Sequence, residues 1–290
     1  DTSYTYDENG SLLVRFRSDT DKTVYRWDDQ RRLVEAKVTG ASGVVQTQYQ
    51  YDADGVRVAA TAGGQETHYL IDTTQPYAQV VEEYGTDGTV KADYVYGRGL
   101  VSQRRAGQES FYLVDGLGSA RILTDGNGAL TDTYAYDAFG ETIGVTGSTV
   151  NSYRFAGEQF DAGLEQYYLR ARYYSPGMGR FTTRDSFEGN VAEPLSLHKY
   201  LYAHSNPVNL VDPSGLYVGT MEQNAAFIAL AALAVIYAGF QLGQQAGSQL
   251  YVTPYPTPPT PPQESFPLGK ESTGWIEGID LGSTDILHTG

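Results

Sequence analysis

The histidines and acidic residues near position 200 are the first candidates for chemistry in this chain. His198 and His204 lie six residues apart, close in sequence to Glu193 and Asp212. A metal site needs three or four converging ligands, and the chain has four histidines and no cysteine in all. We therefore expect no metal site and no cofactor, and we interpret His198 and His204 as residues that pack inside a folded core.

Two Asp-x-x-Gly sequences could be read as calcium loops, "DADG" at 52–55 and "DGNG" at 125–128. Neither continues with the full spacing of acidic ligands that a helix–loop–helix calcium site requires. Asp and Gly also dominate tight hairpin turns, which is the simpler interpretation. The sequence contains no Gly-x-Ser-x-Gly elbow, no P-loop and no dinucleotide-binding fingerprint.

The sequence "NPVNLVDPSGL" at 206–216 marks an abrupt change in the chain. The residues before it are polar, Tyr-rich and repetitive, whereas an almost uncharged apolar run and a Pro-rich tail follow it. Pro213 stiffens the turn, and Gly215 allows other groups to approach the backbone closely. We interpret this Asp-Pro-Ser-Gly-Leu turn as the end of a folded unit.

Composition limits the fold and the partners. The formal net charge is −15, whereas proteins that bind nucleic acid carry dense Lys/Arg surfaces. Nucleic acid is therefore not expected as a partner of residues 1–216. The absence of cysteine excludes a disulfide framework. The 24 tyrosines and 33 glycines favour a mainly β protein with many short strands and tight turns.

A repeated pattern explains this composition. "YTYDENGSLLVRF" begins at 4, "YQYDADGVRVAAT" at 49 and "YAYDAFGETIGV" at 134, with looser copies between them at intervals of 18 to 25 residues. Tyr-x-Tyr places two rings on one face of a strand, and Asp-x-x-Gly supplies a hairpin turn. We expect each unit to be a β-hairpin that stacks on its neighbours, with tyrosine ladders along one face. The chain begins inside a repeat and shows no signal peptide, so we expect it to be part of a longer protein.

These repeats resemble the YD/RHS repeats of bacterial RHS proteins, teneurins and the C subunits of Tc insecticidal toxins. The stretch 112–141 is also similar to RHS sequences. The stretch 153–216, with "YYLRARYY", "GRF", "LHKYLYAHSNPVN" and "DPSGL", is similar to the RHS repeat-associated core along its whole length. The resemblance implies a β-hairpin ribbon that forms part of a hollow shell, closed by the core as a plug. It further implies that the chain beyond the core is held inside the shell.

The resemblance also implies a set of site residues. In self-cleaving relatives three residues carry the cut: an Arg of the "RARYY" stretch, an Asp after "GRF" and the Asp of the final Asp-Pro-x-Gly. The chain is cut after the residue that follows this Gly. These positions match Arg172, Asp185 and Asp212, with Leu216–Tyr217 as the bond cut. The implied enzyme activity is at most a single aspartic-type self-cleavage. Ser186 replaces a proline found in many relatives, and "GNVAEPLS" lengthens the span from Asp185 to Leu216.

We predict four regions: YD/RHS repeats in 1–133, the RHS-associated core in 134–216, an apolar helical segment in 217–250, and a Pro-rich linker and tail in 251–290. Residues 225–242 carry no charge over eighteen positions, which is the lower limit for a membrane span. Flanking Lys/Arg residues are missing, so a buried or shell-lining helix and a membrane contact both remain open.

Three functions are compatible with these features. The first is a shell and plug that encloses and presents its own C-terminal effector segment, alone or with other shell or delivery subunits. The second is a structural or adhesive surface protein that is not cut, and the third is a display protein anchored in a membrane through 225–242. The family resemblance implies that the protein is secreted or lies at the cell surface.

Overall fold

The computed structural model describes residues 1–220. Its first part is a single antiparallel sheet of fourteen strands, in which every strand pairs with its neighbours in chain order. We call it the repeat sheet. Its strands are β1 (Ser3–Tyr6), β2 (Leu12–Ser18), β3 (Asp21–Trp27), β4 (Leu33–Gly40), β5 (Gly43–Tyr51), β6 (Arg57–Ala62), β7 (Gln65–Asp72), β8 (Gln79–Tyr84), β9 (Val90–Tyr96), β10 (Leu100–Arg105), β11 (Gln108–Val114), β12 (Ala120–Thr124), β13 (Leu130–Tyr136) and β14 (Thr142–Thr146).

The aspartates of the repeats build the turns between these strands. In the turn after β5, Oδ1 of Asp52 accepts hydrogen bonds from the N–H groups of Asp54 and Val56, at 3.0 and 2.8 Å. Gly55 has a φ of 83°, a conformation that residues with a Cβ adopt at a cost. The same pattern recurs at Asp125, whose Oδ1 accepts two amides at 2.9 Å. Both Asp-x-x-Gly sequences are therefore hairpin turns in which a carboxylate oxygen binds backbone amides.

A second, four-stranded antiparallel sheet follows, which we call the small sheet. Its strands are β15 (Gln159–Asp161), β16 (Gln166–Leu169), β17 (Arg172–Ser175) and β18 (Arg180–Phe181). Short 3-10 turns, among them Pro194–Leu197 and Ala203–Ser205, connect the rest of this region. We refer to residues 151–220 as the core segment.

The core segment packs against the tyrosine face of the repeat sheet. Tyr49 contacts Tyr173 with ring centroids 5.8 Å apart, and Tyr94 contacts Tyr153 at 4.9 Å. Within β13 the rings of Tyr134 and Tyr136 stack. The rings thus lie on one face as expected, but many of them pack against the core segment rather than forming ladders from repeat to repeat. The reason is that the small sheet supplies its own buried aromatic rings as partners.

A buried arginine joins the two sheets. Arg57 in β6 is 4% exposed, and its guanidinium lies 4.1 Å from the ring centroid of Tyr168. Nη1 donates to the Tyr173 hydroxyl and Nη2 to Oε1 of Gln159, both at 2.6 Å. Cation–π and hydrogen-bond contacts of this kind are strong when water is excluded.

The mainly β architecture predicted from the sequence is confirmed. The predicted apolar helix in 217–250 lies almost entirely outside the described residues, as does the 225–242 segment, and the four region boundaries stay predictions. Within residues 1–220 no helix is long and apolar enough to cross a membrane.

Candidate functional site

Arg172 is the centre of the candidate site. It begins β17, its side chain is 4% exposed, and its guanidinium lies 3.6 Å from the ring centroid of Phe181. Nη2 contacts the carboxylates of Asp185 at 2.7 Å and Asp212 at 3.5 Å. Nε donates to the carbonyl of Gly215. One side chain therefore holds both predicted aspartates and the turn that precedes Leu216.

Asp212 lies against the backbone of the bond predicted to be cut. Its Oδ1 accepts hydrogen bonds from the N–H of Tyr217 at 3.0 Å and from the Ser214 hydroxyl at 3.3 Å. Asp212 is 1% exposed. Burial raises the pKa of its carboxyl to about 6, opposed by the Arg172 charge and supported by the Asp185 charge. The carboxyl can therefore carry a proton in mildly acidic to neutral solution.

Asp185 reaches the same guanidinium from the other side of the site. Its backbone N–H donates to the carbonyl of Lys199 at 2.9 Å, and its Oδ1 accepts the N–H of Phe187 at 2.8 Å. The inserted "GNVAEPLS" residues form a separate surface loop, closed by a backbone bridge between Asn190 and Glu193. Because the backbone on both sides of Asp185 is fixed in this way, neither the insertion nor Ser186 prevents Asp185 from meeting Arg172.

The Asp-Pro-Ser-Gly-Leu sequence forms the predicted turn. Val211 and Gly219 exchange two backbone hydrogen bonds, at 2.9 and 3.1 Å, so the residues between them form a loop. Gly215 has a φ of 72°, and an added Cβ would clash with the carbonyl oxygen of Leu169. A glycine is therefore required where this loop docks on the small sheet.

The Leu216–Tyr217 bond borders a cavity of about 180 Å³. Asp185, Asp212 and Arg172 line this cavity, and so do His198 and His204. His198 is exposed and His204 is half-buried, so the prediction that both pack inside a folded core is wrong. A polar cavity of this size has room for a water molecule. The site thus combines two carboxylates held by one cation, a peptide N–H bound to one of them, and space for water. This is an arrangement that general acid–base chemistry on the peptide bond requires.

The structure brings together every residue that the sequence singled out for this site. Their catalytic roles stay predictions. Ser214 was not predicted from the sequence; its hydroxyl accepts hydrogen bonds from the N–H groups of Leu216 and Tyr217 at 3.2 and 3.1 Å. The ring of Phe181 beneath Arg172 was not predicted either. Ser214 lies in the motif "DPSGL" and Phe181 in the motif "GRF". The motifs therefore marked these positions as part of the site, but they did not show which atoms the two side chains contact. Among residues 1–220 no group of three His, Asp or Glu side chains is placed to hold a metal ion.

Comparison with known proteins identifies relatives of the chain. The teneurin YD-shell family model matches residues 1–208. The tRNA3(Ser)-specific nuclease WapA of Bacillus spizizenii is 34% identical over 234 residues, which cover 79% of this chain and 10% of that protein. The double-stranded DNA deaminase toxin A of Burkholderia cenocepacia is 29% identical over 246 residues, covering 74% of this chain and 17% of that protein. The chain thus spans between a tenth and a fifth of the length of these two relatives.

Solved structures share the fold. A crystal structure of TcdB2-TccC3-Cdc42 superposes with a TM-score of 0.53 and 18% sequence identity, covering 79% of this chain and 14% of that one. At this identity the likeness concerns the fold alone.

Proposed function

Because this chain belongs to the teneurin YD-shell family, we propose that its repeat sheet forms part of a hollow shell, that the core segment closes the shell, and that the shell encloses and presents the chain beyond residue 216. The core segment already covers the tyrosine face of the sheet with buried aromatic contacts, as a plug in a shell must. The partners of the shell are its own C-terminal segment and other shell or delivery subunits, and its location is outside the cell.

The activities of two relatives support a carrier role. A tRNA nuclease and a DNA deaminase toxin share this segment with the chain, although their substrates differ. A segment common to both is more simply a carrier than the source of either activity. The effector of this chain would then lie after residue 216, and its substrate is not specified by the shell.

Within this function we propose that the chain cuts itself once, between Leu216 and Tyr217. The observation that carries this proposal is the hydrogen bond from the Tyr217 N–H to Asp212 Oδ1, at 3.0 Å. This contact places a carboxyl of raised pKa directly against the nitrogen that must leave.

The reaction balances with water as the only co-reactant. Asp185 removes a proton from a water molecule in the cavity, and the water oxygen bonds to the carbonyl carbon of Leu216. In the tetrahedral adduct that results, the Tyr217 nitrogen has a free lone pair. Asp212 donates its proton to this nitrogen as the carbon–nitrogen bond breaks and the carbonyl forms again. The products are an amine at Tyr217 and a carboxylic acid at Leu216, which loses its proton to Asp212 or to water and becomes a carboxylate. Arg172 holds the carboxylates together and keeps the turn in place through the Gly215 carbonyl.

The experiment is to produce the full chain and measure its intact mass. We expect wild type to yield a fragment that begins at Tyr217, whereas Asp185→Asn and Asp212→Asn stay whole. Glu193→Gln is the matched control, because Glu193 lines the same cavity but lies on the exposed surface loop. An uncut wild type contradicts self-cleavage and leaves a shell that presents its segment as one continuous chain.

A further inference from the structure

Arg170 lies two residues before Arg172 and has no role in the proposed cleavage reaction as described above. It occupies the two-residue turn between β16 and β17 and has a φ of 55°, which residues other than Gly, Asn and Asp rarely adopt. Its side chain is largely buried. A buried charge in a disfavoured backbone conformation persists only where surrounding contacts hold it.

Those contacts reach the cleavage turn from one side. Nη1 of Arg170 donates to the carbonyl of Pro213 and pairs with Oε2 of Glu158 at 2.7 Å. Next to it, the N–H of Ala171 donates to the carbonyl of Ser214 at 3.2 Å. One hairpin of the small sheet therefore donates hydrogen bonds to two successive carbonyl groups of the turn after Asp212.

The same side chain reaches the repeat sheet from the other side. Nε of Arg170 donates to the carbonyl of Ala78 at 2.9 Å, and the guanidinium lies 4.5 Å from the ring centroid of Tyr77. Tyr77 and Ala78 belong to the 73–78 loop between β7 and β8. Glu158 supplies the neutralising charge; burial raises its pKa to about 7, and Arg170 opposes that shift.

We propose that Arg170 is a positioning residue for self-cleavage, which holds the Asp212–Tyr217 turn in its reactive geometry only when the 73–78 loop of the repeat sheet is seated on the core segment. This inference rests on the proposed self-cleavage. Its consequence is that the cut follows closure of the sheet against the core segment, so that a chain with an open shell stays whole. Arg172 by contrast touches both carboxylates directly.

The test compares cleavage rates of the full chain, refolded from denaturant and followed by intact mass. We expect Arg170→Ala to slow the cut about tenfold or more, since small misplacements of reacting groups have effects of this size. Arg170→Lys keeps the positive charge beside Glu158 and is expected to restore part of the rate. Tyr77→Leu, which does not touch the cleavage turn, is expected to slow the cut by a smaller factor.

Stability is measured separately with each substitution placed in the uncut Asp185→Asn background. Arg154→Ala is the control, because Arg154 packs over Phe160 in the same core segment. The proposal is supported if Arg170→Ala cuts slowly while its thermal unfolding midpoint matches that of Arg154→Ala. The proposal is overturned if Arg170→Ala cuts at the wild-type rate. It is also overturned if Arg170→Lys is as slow and as unstable as Arg170→Ala. If Arg170→Ala does not fold, Tyr77→Leu decides, and an unchanged rate there overturns the proposal. Failure of wild type to cut at all would instead contradict the proposed function.

Discussion

The backbone N–H of Tyr217 donates a hydrogen bond to the carboxylate of Asp212, five positions earlier in the chain, at 3.0 Å. The turn between them carries Pro213 and Gly215, and Arg172 holds Asp212 from the opposite side. A carboxyl, a peptide nitrogen and a buried cation are thus fixed relative to one another by a short, stiff piece of backbone. The pH dependence, the role of Gly215 and the central cleavage experiment all depend on this relationship.

The cleavage rate is expected to fall as pH rises through about 6. Asp212 must be protonated to donate to the Tyr217 nitrogen, and its pKa is raised from 3.8 to about 6, chiefly by burial. The protonated fraction is therefore high below pH 6 and is lost tenfold for each further pH unit above it. The measurement is the rate of appearance of the cut fragment after refolding across this range.

A second buried carboxyl must be separated from Asp212 in that profile. The pKa of Glu158 is raised to about 7 by burial, so it also titrates near neutral pH. Glu158→Gln removes this group, and we expect the cleavage rate of this variant still to fall as pH rises through about 6. If the fall in cleavage rate near pH 6 is absent in Glu158→Gln, the titrating group is Glu158, and the role given to Asp212 is contradicted.

Gly215→Ala is expected to destabilise the turn and to slow the cut. The backbone at Gly215 has a φ of 72°, and an added Cβ would clash with the Leu169 carbonyl. Strain of this kind costs about 1–3 kcal/mol. Gly126→Ala is the matched control, since an added Cβ there meets no atom within 4 Å. Thermal unfolding in the Asp185→Asn background measures the difference, and equal midpoints for the two variants would contradict the tight docking of the turn.

Arg57→Met is expected to lower the free energy of unfolding by about 3 kcal/mol, the usual effect of removing one partner from a buried charged network. Its hydrogen bonds to Tyr173 and Gln159 join the two sheets, so the loss should weaken their contact. Arg26→Met serves as the control, because the Arg26 side chain is 62% exposed. Urea unfolding of both variants in the uncut background tests this, and equal midpoints would show that the sheets associate without Arg57.

Asp52→Ala is expected to cost about 1–2 kcal/mol, since two backbone amides lose their acceptor. Asp54 lies exposed in the same turn, so Asp54→Ala should change the free energy of unfolding little. A calorimetric comparison in the uncut background checks this. If both substitutions have the same small effect, the carboxylate at the first position of the repeat is not what stabilises the turn.

Much of the repeat sheet was predictable because its information is local. Tyr-x-Tyr sets the strand face and Asp-x-x-Gly sets the turn, so each hairpin is specified within about twenty residues. The turn at Arg31 shows how far this extends. Arg31 has a φ of 61° where other repeats have Gly, yet its N–H still donates to the carbonyl of Asp28 at 2.9 Å.

The candidate site was predictable only through family resemblance. Arg172, Asp185 and Asp212 are separated by 13 and 27 residues, and no periodicity connects them. Their meeting depends on 3-10 turns and loops of the core segment, which have no regular hydrophobic pattern. Arg170 and Glu158 were missed for the same reason. Arg170 contacts Pro213 and Ala78 through their backbone carbonyl groups, and such contacts leave no mark on the residue types of the partners.

The most direct test of the account is the intact mass of wild type beside Asp185→Asn, with sequencing of any new amino terminus. Asp185 binds Nη2 of Arg172 at 2.7 Å and is assigned as the base that activates water. We expect wild type to give a fragment beginning at Tyr217, and Asp185→Asn, folded to the same extent, to give a single uncut chain. A wild type that stays whole, or an Asp185→Asn variant cut at the same bond and rate, would contradict the account.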